Sequence, residues 1–165
     1  YLTPDSFRTQ RIMSFIDPSQ NVLSDSYHIN QALIAVGSGN IFGVGYGEST
    51  TKIRYLPEPI GDSIFAVIAE ELGFVGGIAL ILSFLILITR IFILAKRSGD
   101  HFAQLLLVGF GSLIGIQVFI NIGSISGLIP LTGIPLPFIS YGGTSLAVFM
   151  IISGIIVNIT KHEKN

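Results

Sequence analysis

The 165-residue chain has no cysteine. That absence excludes disulfides, thiolate metal sites and a cysteine nucleophile. Charge is scarce as well. Only 12% of the residues are Asp, Glu, Lys or Arg, where a soluble domain carries about 25%. The net charge is -1, so there is no basic field to draw in nucleic acid. The histidines, His28, His101 and His162, are scattered without the H-x-x-H or H-E-x-x-H spacing of a zinc site. Ser49, Ser140 and Ser145 have no neighbouring His or Asp in sequence, so no serine-hydrolase constellation forms.

What the chain does have is apolar. Half of it, 50%, is hydrophobic and its mean hydropathy is +0.72. From Leu72 to Thr89 no Asp, Glu, Lys or Arg occurs, and none occurs between Asp100 and Lys161. A bilayer core takes about 20 residues of helix. The second tract is too long for one span, and Gly127, Pro130, Gly133, Pro135 and Pro137 break its middle. The expected fold is therefore an all-α polytopic membrane protein. Three transmembrane helices, over 72–95, 102–122 and 142–159, follow an outer loop with short helices over 1–71. A Pro/Gly-rich loop over 124–141 joins the last two, and 161–165 form a tail. Non-helical backbone at membrane depth must be buried in protein or line a wet cavity. The Pro/Gly loop is accordingly expected to pack on helices. Gly109, Gly111, Ser112 and Gly115, with Gly143, Ser145 and Ala147, suggest close helix packing.

Arg90, Lys96 and Arg97 flank the first interhelix loop, and Lys161 and Lys164 lie in the tail. The positive-inside rule then places that loop and the C-terminus in the cytoplasm. Residues 1–71 and the Pro/Gly loop fall outside. The chain starts with Tyr and shows no charged n-region or cleavable signal. It reads as part of a longer protein whose N-terminal portion is missing.

Before the first span, Asp17-Pro18-Ser19 suits a turn or helix start, and Tyr27 to Val36 suits a short amphipathic helix. Glycines at 37, 39, 43, 45 and 47 then argue for a loop. Without a GK[ST] ending they make a poor nucleotide signature, and a flexible surface loop is the better reading.

Four carboxylates, Glu58, Asp62, Glu70 and Glu71, stand at the doorstep of the first span. Such groups are costly to desolvate, so they have a function or sit in water. Asp62 reads equally well as a helix N-cap or as a functional carboxylate, and Ser63 is also able to cap. In one continuous helix Asp62 and Glu70 would be roughly 80° apart and could line one cleft. Plain interfacial solvation is the alternative for Glu70 and Glu71. Arg11, Lys52 and Arg54 suit a phosphate or pyrophosphate headgroup, which Arg grips bidentately and Lys as a point charge. Contact with anionic lipid, or pairing with the carboxylates, is the other reading.

Longer blocks carry a resemblance. YLPEPIGDSIFAVIAEELGFVG, NIGSISGLIPLTGIPLPFISYGGTSL, RIMSFIDP and YHINQALIAVGSGNIFGVGYGESTTKI occur in order over nearly the whole chain. Together they resemble the SEDS family of polytopic cell-wall polymerases (FtsW, RodA, SpoVE). The resemblance implies the C-terminal portion of a roughly ten-helix protein. It implies peptidoglycan glycosyltransfer from lipid II, a disaccharide-peptide on undecaprenyl pyrophosphate. Asp62 falls on the essential acidic position and suits a general base in an inverting transfer. Arg11 and Lys52 would hold pyrophosphate, Glu58 would orient a sugar or a cation, and Gln31 and Ser140 complete the candidate substrate-binding set. No cofactor is implied with certainty, and a divalent cation is compatible. The implied partners are a class B penicillin-binding transpeptidase and other division proteins. The wording LTGIPLPFISYGGTSL favours the division branch, FtsW, over the elongation branch, RodA. That would place the protein in the bacterial cytoplasmic membrane at the septum. A lipid II flippase or a non-catalytic division scaffold is the alternative. The sequence differs from the family pattern at Gly61-Asp62-Ser63, Ser38-Gly39-Asn40 and Tyr27-His28.

Overall fold

The computed structural model describes residues 25–49 and 61–162. Among them are four helices: α1 (Asp25–Ser38), α2 (Ile64–Arg97), α3 (His101–Ile125) and α4 (Gly143–His162). Three of these, α2, α3 and α4, are long and apolar enough to cross a membrane. Their outward faces expose Leu85, Ile86, Phe119 and Ile151, as lipid-facing or helix-facing surfaces do. The chain is an all-α, multi-pass membrane protein.

Helix α1 presents Ala32 and Ala35, both fully buried, to Phe65 and Ala66 of α2 and to Ile125 and Leu131. Two alanines on one face let the backbones approach closely. The larger core lies between α2 and α3. Phe84, Ile91 and Ala95 of α2 pack with Leu107, Ile114 and Val118 of α3, and Phe149 and Ile152 of α4 close the cluster. Among the small residues, Gly111 does the packing expected of it: a β-carbon there would stand 3.1 Å from Ile91 Cγ2. Gly109 and Gly143 meet nothing within 4 Å.

The sequence starts the first span at Leu72, but α2 begins at Ile64. Its two pieces meet at Gly73, whose φ of 68° and ψ of -166° are not helical. A helix end leaves carbonyls and amides without partners, and a break has two such ends. The glycine-rich segment supplies both sets. The Val44 and Gly45 amides donate to Glu70 O (3.0 Å) and Glu71 O (3.1 Å). Phe74 N and Val75 N, which open the second piece, donate to Asn40 O (2.9 Å) and Ile41 O (3.2 Å). Contact this close needs glycine: a β-carbon on Gly43 would overlap the Glu71 carbonyl, and one on Gly73 would overlap Gly43 N. The segment is therefore not the flexible loop its composition suggested. Phe42 and Tyr46 do point outward, 83% and 90% exposed, but the backbone beneath them is the splice that joins the two pieces of α2. Its Gly43, Val44, Gly45 and Glu48 amides are occupied by backbone carbonyls and are not offered to a phosphate.

The turn into α3 is regular. Lys96 and Arg97 lie in the last turn of α2, where cations complement the helix dipole. Asp100 caps α3, accepting from Phe102 N (3.2 Å) and Ala103 N (3.3 Å).

Candidate functional site

Asp62 lies in the turn just ahead of α2 and is half-buried. The N-cap position belongs to Ser63, which makes no side-chain cap hydrogen bond. Among the described residues the Asp62 carboxylate accepts the Ser63 hydroxyl, 3.3 Å from Oδ1, and no helix amide. The capping alternative therefore lapses. The carboxylate is held near the chain by the Ser63 hydroxyl alone among the described residues.

The other wall is the Pro/Gly segment between α3 and α4. Gly133, in the left-handed region at φ 67°, brings its Cα under the carboxylate, so that a β-carbon there would lie 3.7 Å from Asp62 Oδ2. Leu131, Leu136 and Pro137 bury this segment against the helices. Its carbonyls at membrane depth need donors, and α3 supplies them from two amide side chains one turn apart. Gln117 Nε2 donates to Pro135 O (3.1 Å). Asn121 Nδ2 donates to Ile134 O (2.7 Å) and to Asp62 O (2.8 Å). One buried amide thus ties the aspartate turn to the Pro/Gly segment. The segment stores strain at Phe138, a bulky residue at φ 66°. Its ring lies against Phe149 of α4, with centroids 5.3 Å apart.

Ser140, a candidate substrate ligand, is buried and braces this turn: its Oγ accepts from Leu136 N at 2.7 Å. Gln31 sits half-buried on α1. Arg11, Lys52 and Glu58 lie outside the described residues.

Glu70 does not share a cleft with Asp62. Asp62 precedes the helix, so the 80° offset of a continuous helix does not apply. Glu70 is 2% exposed and accepts from Ser49 Oγ at 2.6 Å, on the side of the glycine segment. Glu71 is buried as well. Interfacial solvation is thus excluded for both. Among the described residues no group of three or more His, Cys, Asp or Glu is placed to hold a metal ion.

Sequence reasoning missed Gln117 and Asn121. Their signal was present: two amides at i and i+4 in an otherwise apolar span, opposite a stretch of Pro and Gly whose carbonyls must be satisfied.

The comparisons agree in order and extent. Over residues 1–165 the chain matches the profile of the FtsW/RodA/SpoVE family, described as "Cell cycle protein". It is 44% identical over 158 residues to stage V sporulation protein E of Bacillus subtilis, covering 96% of this chain and 43% of the relative. It is 44% identical over 168 residues to the probable peptidoglycan glycosyltransferase FtsW of the same organism (99% and 42%). It is 41% identical over 159 residues to the peptidoglycan glycosyltransferase MrdB of Escherichia coli K12 (96% and 43%). The chain spans about two fifths of the length of these curated relatives. In three dimensions it is similar to a chain from a peptidoglycan synthase complex that coordinates polymerization and crosslinking. The TM-score is 0.75 at 28% identity, over 98% of this chain and 43% of the other. The sequence blocks, the three spans and the extent of these matches lead to one assignment: the chain belongs to the FtsW/RodA/SpoVE family.

Proposed function

We propose that the chain forms the C-terminal portion of a longer peptidoglycan glycosyltransferase that polymerises lipid II on the outer face of the cytoplasmic membrane. The observation that carries this reading is Asp62. It is a half-buried carboxylate that caps no helix and faces a rigidly braced Pro/Gly wall. The printed names of FtsW and MrdB supply the reaction class.

Asp62 acts as general base. As the acceptor GlcNAc 4-hydroxyl oxygen bonds to the MurNAc anomeric carbon, Asp62 takes the hydroxyl proton. The bond from that carbon to the lipid pyrophosphate breaks, and the pyrophosphate leaves with the electron pair. The anomeric centre inverts. Positioned proton transfer of this kind contributes typically about 10²–10⁴-fold in rate. Arg11 and Lys52 neutralise the leaving pyrophosphate, and Gln31 and Glu58 contact the sugars.

The Lys/Arg pattern supports a cytoplasmic C-terminus, with 1–71 and the Pro/Gly segment outside. The synthase complex among the similar structures supports a class B penicillin-binding transpeptidase as partner. The division branch rests on the wording of the Pro/Gly block; FtsW and MrdB match at nearly the same identity. Septal localisation follows from that branch.

The test is Asp62→Asn in the full-length protein with its transpeptidase partner and purified lipid II. The expected result is polymer yield reduced by about two orders of magnitude or more. Wild-type yield would remove the general-base role, and a wild-type protein that makes no polymer from lipid II would favour a flippase or a scaffold.

A further inference from the structure

The Asp62 backbone is gripped from behind by a residue in a different helix. Asn121 is 1% exposed, and both of its N–H groups are in use, on Asp62 O and on Ile134 O. Rotating the amide would break both bonds at once, so the pair fixes its orientation. Its Oδ1 is closed to solvent and has no partner among the described residues. An unpaired buried acceptor is unfavourable and calls for an explanation. Here the amide is oriented for its two donors at the expense of its oxygen. The consequence is geometric. Ile134 follows Gly133, and Gly133 is the residue that the Asp62 carboxylate overhangs. Asn121 thereby sets the distance between the carboxylate and the opposite wall.

We propose that Asn121 is a positioning residue for Asp62: it acts through the Asp62 carbonyl to hold the carboxylate over Gly133 at the reacting distance. This rests on the reading of Asp62 as general base. The competing account is structural: Asn121 does no more than satisfy two non-helical carbonyls in a membrane protein. Gln117 provides the control. It satisfies Pro135 O, the next carbonyl along, from one turn earlier on α3, and its hydrogen bond does not involve Asp62.

The experiment uses the full-length protein with its transpeptidase partner. Polymerisation of lipid II is measured for Asn121→Ala, Gln117→Ala and Asp62→Asn, and each rate is divided by the fraction of molecules that bind lipid II. Misfolding lowers that fraction and leaves the normalised rate unchanged. A misplaced base lowers the normalised rate, since an error of about 1 Å costs about 100-fold. The expected result is a fall of at least about tenfold for Asn121→Ala with KM within about threefold, while Gln117→Ala stays within about threefold of wild type. If Asn121→Ala fails to assemble, Asn121→Ser, which keeps one donor, is read against the same limits. A normalised rate for the Asn121 variant within threefold of wild type, or equal to that of Gln117→Ala, overturns the proposal. Asp62→Asn separates the two claims. If it polymerises at the wild-type rate, the general-base reading itself fails. If it is inactive while the Asn121 variant is not, only the positioning role is lost.

Discussion

Ser49 Oγ donates a 2.6 Å hydrogen bond to Glu70 Oε2, and both residues are closed to solvent. The bond anchors the end of the glycine segment to the last turn before the break in α2. Removing one partner of a buried hydrogen bond costs roughly 1–3 kcal/mol. Ser49→Ala should therefore lower unfolding stability by about 1–2 kcal/mol. Glu70→Ala should lower it further, because it also removes the larger buried side chain. Denaturant or thermal unfolding in detergent checks the order. Equal stability of Ser49→Ala and wild type would contradict the anchor.

The splice at Gly73 makes a graded prediction for the glycines. Gly43→Ala combines φ +82° with overlap on the Glu71 carbonyl, so it should prevent the two pieces of α2 from joining and abolish assembly. Gly47→Ala has a similar φ of +83° but nothing within 4 Å, so it should cost only the left-handed term, about 1–2 kcal/mol. Gly37 lies within α1 with open space around it. Gly37→Ala should stabilise by roughly 0.5–1 kcal/mol through helix propensity. Folded yield and melting of the three variants read out the series, and a reversal of Gly43 and Gly47 would refute the splice.

The helices were legible because hydropathy and length determine them almost alone. An uncharged tract from Asp100 to Lys161, with Pro and Gly in its middle, can only be two spans. The cap of α3, Asp100, is a finding of the structure, since in the sequence that residue serves only as the edge of the uncharged tract. What could not be read depends on partners distant in sequence. The glycines of EELGFVGG permit a break without demanding one, and α2 breaks at Gly73 where Asn40, Ile41, Val44 and Gly45 take up the hydrogen bonds of the two helix ends. Local pattern likewise could not choose between Asp62 and Ser63 as the cap. In the structure the position falls to Ser63, and Asn121 of α3 bonds the Asp62 carbonyl beside it. The candidate site was thus readable as a list of acidic and basic residues, while the amides that shape it were hidden in an apolar run.

The α3 cap is separable from the site. Asp100 accepts from two amides of the first turn. Asp100→Ala should destabilise by about 1 kcal/mol, and Asp100→Asn, an equally good cap, by much less. Because Asp100 sits at the opposite end of α2 from Asp62, neither variant should alter polymerisation once normalised to folded protein. A changed normalised rate would show coupling along the bundle.

Topology can be tested at the two ends of α2. Tyr46 is 90% exposed and its segment is bonded to the N-terminal break of the span. Gly99 lies in the exposed turn beyond the other end. These 165 residues contain no cysteine; with any cysteine elsewhere in the full-length protein replaced, Tyr46→Cys should react with an impermeant maleimide added outside intact cells, and Gly99→Cys only after the membrane is opened. Ser49 would be a poor choice of label site because it is buried. Labelling of both cysteines from outside would mean that α2 does not cross.

Ser140 separates a structural from a substrate-binding role in one measurement. Its Oγ accepts from Leu136 N, and its own amide donates to Leu136 O at 3.1 Å, so the residue closes the turn before α4 twice over. Ser140→Ala keeps the backbone bond and leaves the buried Leu136 N–H without its acceptor, which costs about 1–3 kcal/mol. Phe138 is already strained in this turn at φ 66°, so the loss should be felt there first, as a lower melting temperature and faster proteolysis of the 126–142 segment. If Ser140 contacted lipid II directly, the same variant would raise KM with melting unchanged. The geometry predicts the first outcome: a stability loss, and a KM that stays within about twofold of wild type once the protein is folded.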